Sequence, residues 1–98
     1  MSIRSFRNKE TEVIAHGGKN KRTMTILPGA LHYSAYKKLV FLDNCKSLDS
    51  LRAWPGLKLE KLRGDRKEQF SIRINEQYRI CFLFNDGHAS NVEIIDYH

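Results

Sequence analysis

Apolar side chains recur along this chain with two different periods. In the first half, Leu31, Ala35, Leu39 and Leu42 are spaced by four, four and three residues, which is one face of an amphipathic helix. Pro28-Gly29 opens that element, and Lys37, Lys38, Asp43 and Lys46 fall on or near its wet side. Ahead of it, Asn8 is placed to cap an earlier helix, with Glu10 and Glu12 suited to the positive helix start and Gly17-Gly18 able to stop it. Residues 3–6 fit a short first strand. Lys19-Asn20-Lys21-Arg22 reads as a basic loop, a solvated connector in preference to a phosphate-contacting one. Ser47 to Leu51 adds one more short turn, and Trp54-Pro55-Gly56 ends the helical half.

Beyond Leu57 the period becomes two, the signature of strands. Leu57, Leu59 and Leu62 suggest a strand that bends or bulges after Lys61. Phe70, Ile72 and Ile74 alternate with Ser71, Arg73 and Asn75, and Tyr78, Ile80, Phe82 and Phe84 alternate with Arg79, Cys81 and Leu83. Asn85-Asp86-Gly87 is a hairpin turn and Val92-Glu93-Ile94-Ile95 a last strand. With Asn75-Glu76-Gln77 as the turn between the central strands, Ile74 lies opposite Tyr78, Ile72 opposite Ile80 and Phe70 opposite Phe82. All the apolar side chains then share one face, whereas a turn one residue shorter would scatter them. The class is α+β: an N-terminal short strand and two helices packed on a twisted antiparallel sheet, in one domain spanning residues 1–98.

That register also sets Arg73 opposite Arg79 on the other face. Like charges so placed cost up to ~1 kcal/mol, which an anion between them would reverse. The formal net charge of +6 points the same way, towards a polyanionic partner and nucleic acid first. Lys58, Lys61, Arg63, Arg66 and Lys67 form a dense basic run relieved by Glu60 and Asp65; it reads equally as substrate contact and as a solvated strand edge. Asp96-Tyr97-His98 adds an acid, a phenol and an imidazole able to give or take a proton near neutral pH. Together with the arginines these are the parts of a metal-free phosphodiester-cleaving site, so no cofactor is expected. The four histidines form no zinc pattern, and Cys45 and Cys81 are expected as buried reduced thiols. The start of the chain lacks the apolar run of a signal peptide and no stretch reaches the length of a membrane span, so a cytoplasmic protein with no membrane partner is expected.

Leu59-Glu60-Lys61-Leu62-Arg63-Gly64-Asp65-Arg66, Ser71 through Phe82 and Val92 through His98 together resemble the HigB branch of the RelE/ParE toxin superfamily; Ser47 through Arg52 with Pro55-Gly56 resembles that family's helix-to-sheet connection. The resemblance covers most of the chain, most loosely its first third. It implies a RelE-like fold and a bacterial type II toxin that enters the ribosomal A site and cuts messenger RNA during translation. It implies silencing by a HigA-like helix-turn-helix antitoxin, through which operator DNA is reached indirectly. Carried over residue by residue, it marks Asp96, Tyr97, His98 and Arg79 as cleavage-site residues, and Arg73 and Arg63 as substrate contacts beside Lys58, Lys61 and Arg66. Glu60 stands where some members carry histidine; a carboxylate there would act as the base, or would merely balance the surrounding lysines. The rival expectations are a gyrase inhibitor of the ParE branch, which lacks this ribonuclease constellation, and a degenerate toxin that only binds its antitoxin and co-represses the operon.

Overall fold

In a computed structural model, which describes residues 2–97, four helices pack against one face of a four-stranded antiparallel sheet. His98, expected to matter chemically, lies outside the described residues. Helix α1 (Lys9–Ala15) begins where Asn8 Oδ1 accepts from the Thr11 N–H at 2.8 Å, and ends before Gly17, whose φ of +84° only glycine adopts freely. Helix α3 (His32–Asp43) buries Ala35, Leu39 and Leu42, the stripe read from the sequence, after a single 3-10 turn at Gly29–Leu31. Helix α4 (Leu48–Arg52) is the short extra turn, capped by Ser47.

One helix departs from expectation. Lys21 and Arg22 are not loop but the first turn of α2 (Lys21–Ile26). Asn20 Oδ1 accepts from the Thr23 N–H, and Thr23 Oγ1 accepts from the Asn20 N–H, both at 2.9 Å. This is a capping box whose second member is threonine where Glu or Gln is usual, which hides it from a sequence pattern.

The sheet order is β1-β2-β3-β4, with β1 at Glu60–Lys61, β2 at Phe70–Arg73, β3 at Tyr78–Asn85 and β4 at His88–Asp96. Its central register is the expected one: Phe70 pairs with Phe82, Ile72 with Ile80 and Arg73 with Arg79, and the Ile74 N–H donates to the Tyr78 carbonyl at 2.9 Å. Asn75 Oδ1 accepts from the Gln77 and Tyr78 N–H groups and so shapes the turn. Asp86 (φ 52°) and Gly87 (φ 80°) make the two-residue β3–β4 hairpin.

The segment after Leu57 is less extended than the leucine spacing suggested. Lys58 (φ 48°) and Gly64 (φ 66°) turn the chain out of the strand conformation, and a 3-10 turn occupies Gly64–Arg66, so β1 keeps only two residues. The anticipated first strand is reduced to two parallel bridges along β4, Ile3 with Ala89 and Phe6 with Val92. A register shift between Cys81 and Leu83, with Asn91 at φ 52°, interrupts that edge and prevents a continuous ladder.

The core between helices and sheet is built on Ile14, Leu27, Leu39, Leu42, Ile72, Ile80, Phe82 and Val92, each no more than 1% exposed. Both cysteines are buried and free. A buried polar link joins the layers: Thr11 Oγ1 accepts from the Ile94 N–H at 3.1 Å. Thr11→Val keeps the shape and removes the acceptor, so it should lower the unfolding free energy by about 1–3 kcal/mol, measured by urea denaturation. An unchanged midpoint would show that the bond adds nothing.

Candidate functional site on the open sheet face

Strand alternation sends Tyr78, Ile80 and Phe82 towards the helices and leaves Arg79 and Cys81 on the opposite side. The register then brings Arg73 and Ile95 beside Arg79, Ser71 and Glu93 beside Cys81, and Glu60 beside Ser71. One sheet face thus collects Glu60, Ser71, Arg73, Arg79 and Glu93.

Arg79 is the centre of this face. Its side chain is only 11% exposed. Nε donates to Ser71 Oγ at 2.6 Å, and Nη2 donates to the Lys58 carbonyl at 2.6 Å and the Ser71 carbonyl at 3.3 Å. Those neutral acceptors satisfy one edge of the guanidinium and fix its plane. The two N–H groups of Nη1 have no partner among the described residues. Glu60 Oε1 stands 3.9 Å from Nε with its side chain half exposed, and the Tyr97 ring centroid lies 5.6 Å from the guanidinium carbon. Beside them opens a cleft of about 460 Å³ lined by Glu60, Lys61, Leu62, Arg63, Arg66 and Tyr97.

The remaining residues singled out in the sequence divide. Arg63 is exposed at the cleft, Lys58 contributes its backbone carbonyl to Arg79, and Lys61 Nζ sits 5.9 Å from the Phe70 ring centre. Arg73 is opposite Arg79 in backbone register, and its guanidinium lies 3.9 Å from the Glu76 carboxylate. Arg66 donates to Glu93 at 2.7 Å and to Gln69 at 3.0 Å; the bond to Glu93 raises its pKa further and commits the charge locally. Asp96 pairs with Tyr78 in register and accepts from Gln77 Nε2 at 3.0 Å, so alternation sets it on the face opposite Arg79. Glu60 and Tyr97 are therefore grouped with Arg79, and Asp96 is not.

Two groups that hold Arg79 escaped the sequence reading: the buried Ser71 hydroxyl and the Lys58 carbonyl. Ser71 could have been found, since the correct register makes it the diagonal neighbour of Arg79, within reach of a long side chain. The Lys58 carbonyl left no side-chain signal.

Under this face, burial pushes the Cys81 thiol up from its ordinary 9.0 to about 11. The folded protein binds that proton more tightly than the unfolded chain. This contribution to stability is complete below about pH 9 and is lost as the pH rises through 11. The urea midpoint should therefore fall more steeply between those two pH values in the wild type than in Cys81→Ala; parallel curves would refute the shift.

A model of the RelE-like toxins of type II toxin–antitoxin system HigB matches residues 4–98. A protein of Vibrio cholerae serotype O1 named Toxin HigB-1 is 35% identical over 86 residues, covering 88% of this chain and 87% of its own length. An uncharacterized protein of Haemophilus influenzae is 27% identical over 70 residues, 71% of this chain and 69% of its own. The chain belongs to the HigB-like family of RelE-like type II toxins. Toxins of type II systems are paired with a protein antitoxin, so a protein partner follows from the family. Among the described residues no helix is long and apolar enough to cross a membrane.

Proposed function

We propose that this protein is a ribosome-dependent endoribonuclease that cuts translated messenger RNA without a metal ion, held in check by a HigA-like helix-turn-helix antitoxin that also carries it to operator DNA. The observation that carries this reading is the pose of Arg79: a guanidinium fixed along one edge by Ser71 and Lys58, with both Nη1 N–H groups unpartnered among the described residues and a carboxylate 3.9 Å from its Nε. The net charge of +6 favours an RNA-rich environment. The cleft is open to solvent, and such a site relies on a larger assembly to hold the substrate in line, which is the role given to the ribosomal A site.

In this mechanism the RNA 2′-hydroxyl attacks the adjacent phosphorus. Glu60 takes its proton, the 2′-O–P bond forms and the P–O5′ bond breaks. The products are a 2′,3′-cyclic phosphate and a 5′-hydroxyl, whose proton His98 supplies. Arg79 stabilises the negative charge that grows on the phosphoryl oxygens, and Tyr97 stacks on a neighbouring base. Arg63, Lys61, Lys58 and Arg73 contact the RNA backbone. Arg66, spent on Glu93, is a weaker contact, and Asp96, on the far side of the sheet, orients the end of β4 and takes no proton from the 2′-hydroxyl.

The test is cleavage of messenger RNA on translating ribosomes. New 5′ ends inside translated codons and loss of cutting when the scissile nucleotide is 2′-deoxy are the expected results; DNA damage without new ends would point to the ParE type of activity instead. Glu60→Gln and His98→Ala should each slow cleavage by about 10²–10⁴-fold with ribosome association nearly intact. Arg79→Lys keeps the charge but cannot reach Ser71 and the Lys58 carbonyl together, and should lose about 10²–10³-fold. Wild-type rates in Glu60→Gln would remove Glu60 as the base.

A further inference from the structure

Four residues line up across the open face of the sheet, one from each strand: Glu60 opposite Ser71, Ser71 opposite Cys81, and Cys81 opposite Glu93. A carboxylate stands at each end of this row, and a guanidinium approaches each of them. The two ends are not alike. At one, Arg66 Nη1 meets Glu93 Oε1 at 2.7 Å, a closed ion pair. At the other, Arg79 Nε stays 3.9 Å from Glu60 Oε1, beyond hydrogen-bond distance.

The inner residue of the row makes the difference. Ser71 is fully buried, and its Oγ accepts from Arg79 Nε at 2.6 Å. Nε carries a single hydrogen, so a bond that short takes it entirely. Beside Glu93 the row offers only the thiol of Cys81, a weak acceptor, and there charge meets charge. Glu60 is directly across the strand pair from Ser71, where Cβ atoms stand ~4.5–5.5 Å apart, so its carboxylate can reach whatever Ser71 releases. Arg79 Nη2 is held by the backbone carbonyls of Lys58 and Ser71. Those bonds survive loss of the hydroxyl, and Nε–H alone would change partner.

We propose that Ser71 is a positioning residue of the cleavage reaction, whose hydroxyl holds Arg79 off Glu60 and so keeps an open carboxylate and an open guanidinium side by side. The inference deepens the ribonuclease reading and rests on it for its kinetic consequence. A carboxylate base and a cation set this close attract one another, and an ion pair closed between them would disable both. Glu60 would turn to Nε–H and away from the 2′-hydroxyl, and the guanidinium would tilt off the phosphate. Ser71 satisfies Nε with an uncharged oxygen, so the two groups remain near and unjoined.

Ser71→Ala removes the hydroxyl, and Ser71→Thr retains it on a side chain suited to a strand. The first measurement follows the Arg79 Nε–H resonance by NMR in the free protein, in the wild type and in Ser71→Ala, each with and without Glu60→Gln. In the wild type Glu60→Gln should leave the resonance in place, because Ser71 holds that hydrogen. In Ser71→Ala it should move the resonance, because Glu60 has taken the hydrogen over. Equal displacement in the two backgrounds overturns the proposal. Ser71→Cys, which keeps the volume and offers only a weak acceptor, replaces Ser71→Ala should that variant fail to fold. On translating ribosomes Ser71→Ala should lower kcat by about 10²-fold, the cost of a misplaced reacting group, with KM changed by less than about twofold. Ser71→Thr should restore most of the rate. A loss confined to KM, or a Ser71→Thr as slow as Ser71→Ala, overturns the proposal as well. Should the wild type cut no messenger RNA, the ribonuclease reading fails, and the Nε–H comparison alone decides whether Ser71 holds the pair open.

Discussion

The pairing of Ile72 with Ile80 is the constraint on which the remainder of this molecule depends. Side chains alternate along a strand, so the three-residue turn that sets this pair decides the face of every residue from Phe70 to Phe82. With it, Ile72, Ile80 and Phe82 reach Leu39 and Leu42 and close the core. Without any further instruction, Arg79, Ser71 and Glu60 are delivered together to the other side. A slip of one residue would bury charge and expose the core at once. Core and candidate site are thus two faces of one register, and the turn at Asn75 serves both.

The two arginines held most tightly on that face are treated differently, and the difference matters electrostatically. Arg66 meets the nearly buried carboxylate of Glu93, which Arg7 also approaches at 3.7 Å. Its charge is balanced where it stands. Arg79 is held chiefly by oxygens without charge, from Ser71 and Lys58. Among the described residues, the carboxylate it meets is Glu60, 3.9 Å away and half in solvent, where water screens it. The positive field of Arg79 is consequently retained at the open surface, fixed in direction before any anion arrives. Such prior orientation is what makes a charged donor effective against a charge that develops during reaction.

Much of this was legible from the amino-acid order. The α3 stripe, the Asn8 cap, the β2–β3 register and the Asp86-Gly87 hairpin all follow from periodicity or from residues with one conformational use. What was hidden had physical reasons. Helix α2 is six residues long and buries little, so no apolar period announces it, and its cap uses Thr23 in an uncommon role. The leucines after Trp54 promised a longer β1, but left-handed Lys58 breaks it, and nothing in a lysine side chain foretells a positive φ. At the site, Arg79, Glu60 and Tyr97, each singled out for its side-chain chemistry, lie side by side. Asp96 and Tyr97 are adjacent in sequence but fall on opposite faces, because consecutive strand residues alternate, and Arg73 has the turn residue Glu76 at 3.9 Å. The part played by the Lys58 backbone could emerge only from coordinates.

The opening residues of the chain are the last to find their place. The Ser2 hydroxyl donates to the Cys45 carbonyl, the Ser2 carbonyl accepts from Ala89, and the Arg7 N–H reaches Val92. Residues 2–7 therefore wait for nearly the whole of β4 before that edge is closed, and contacts between such distant positions are slow to form. The fold accordingly completes this outer edge of the sheet late, by topology alone.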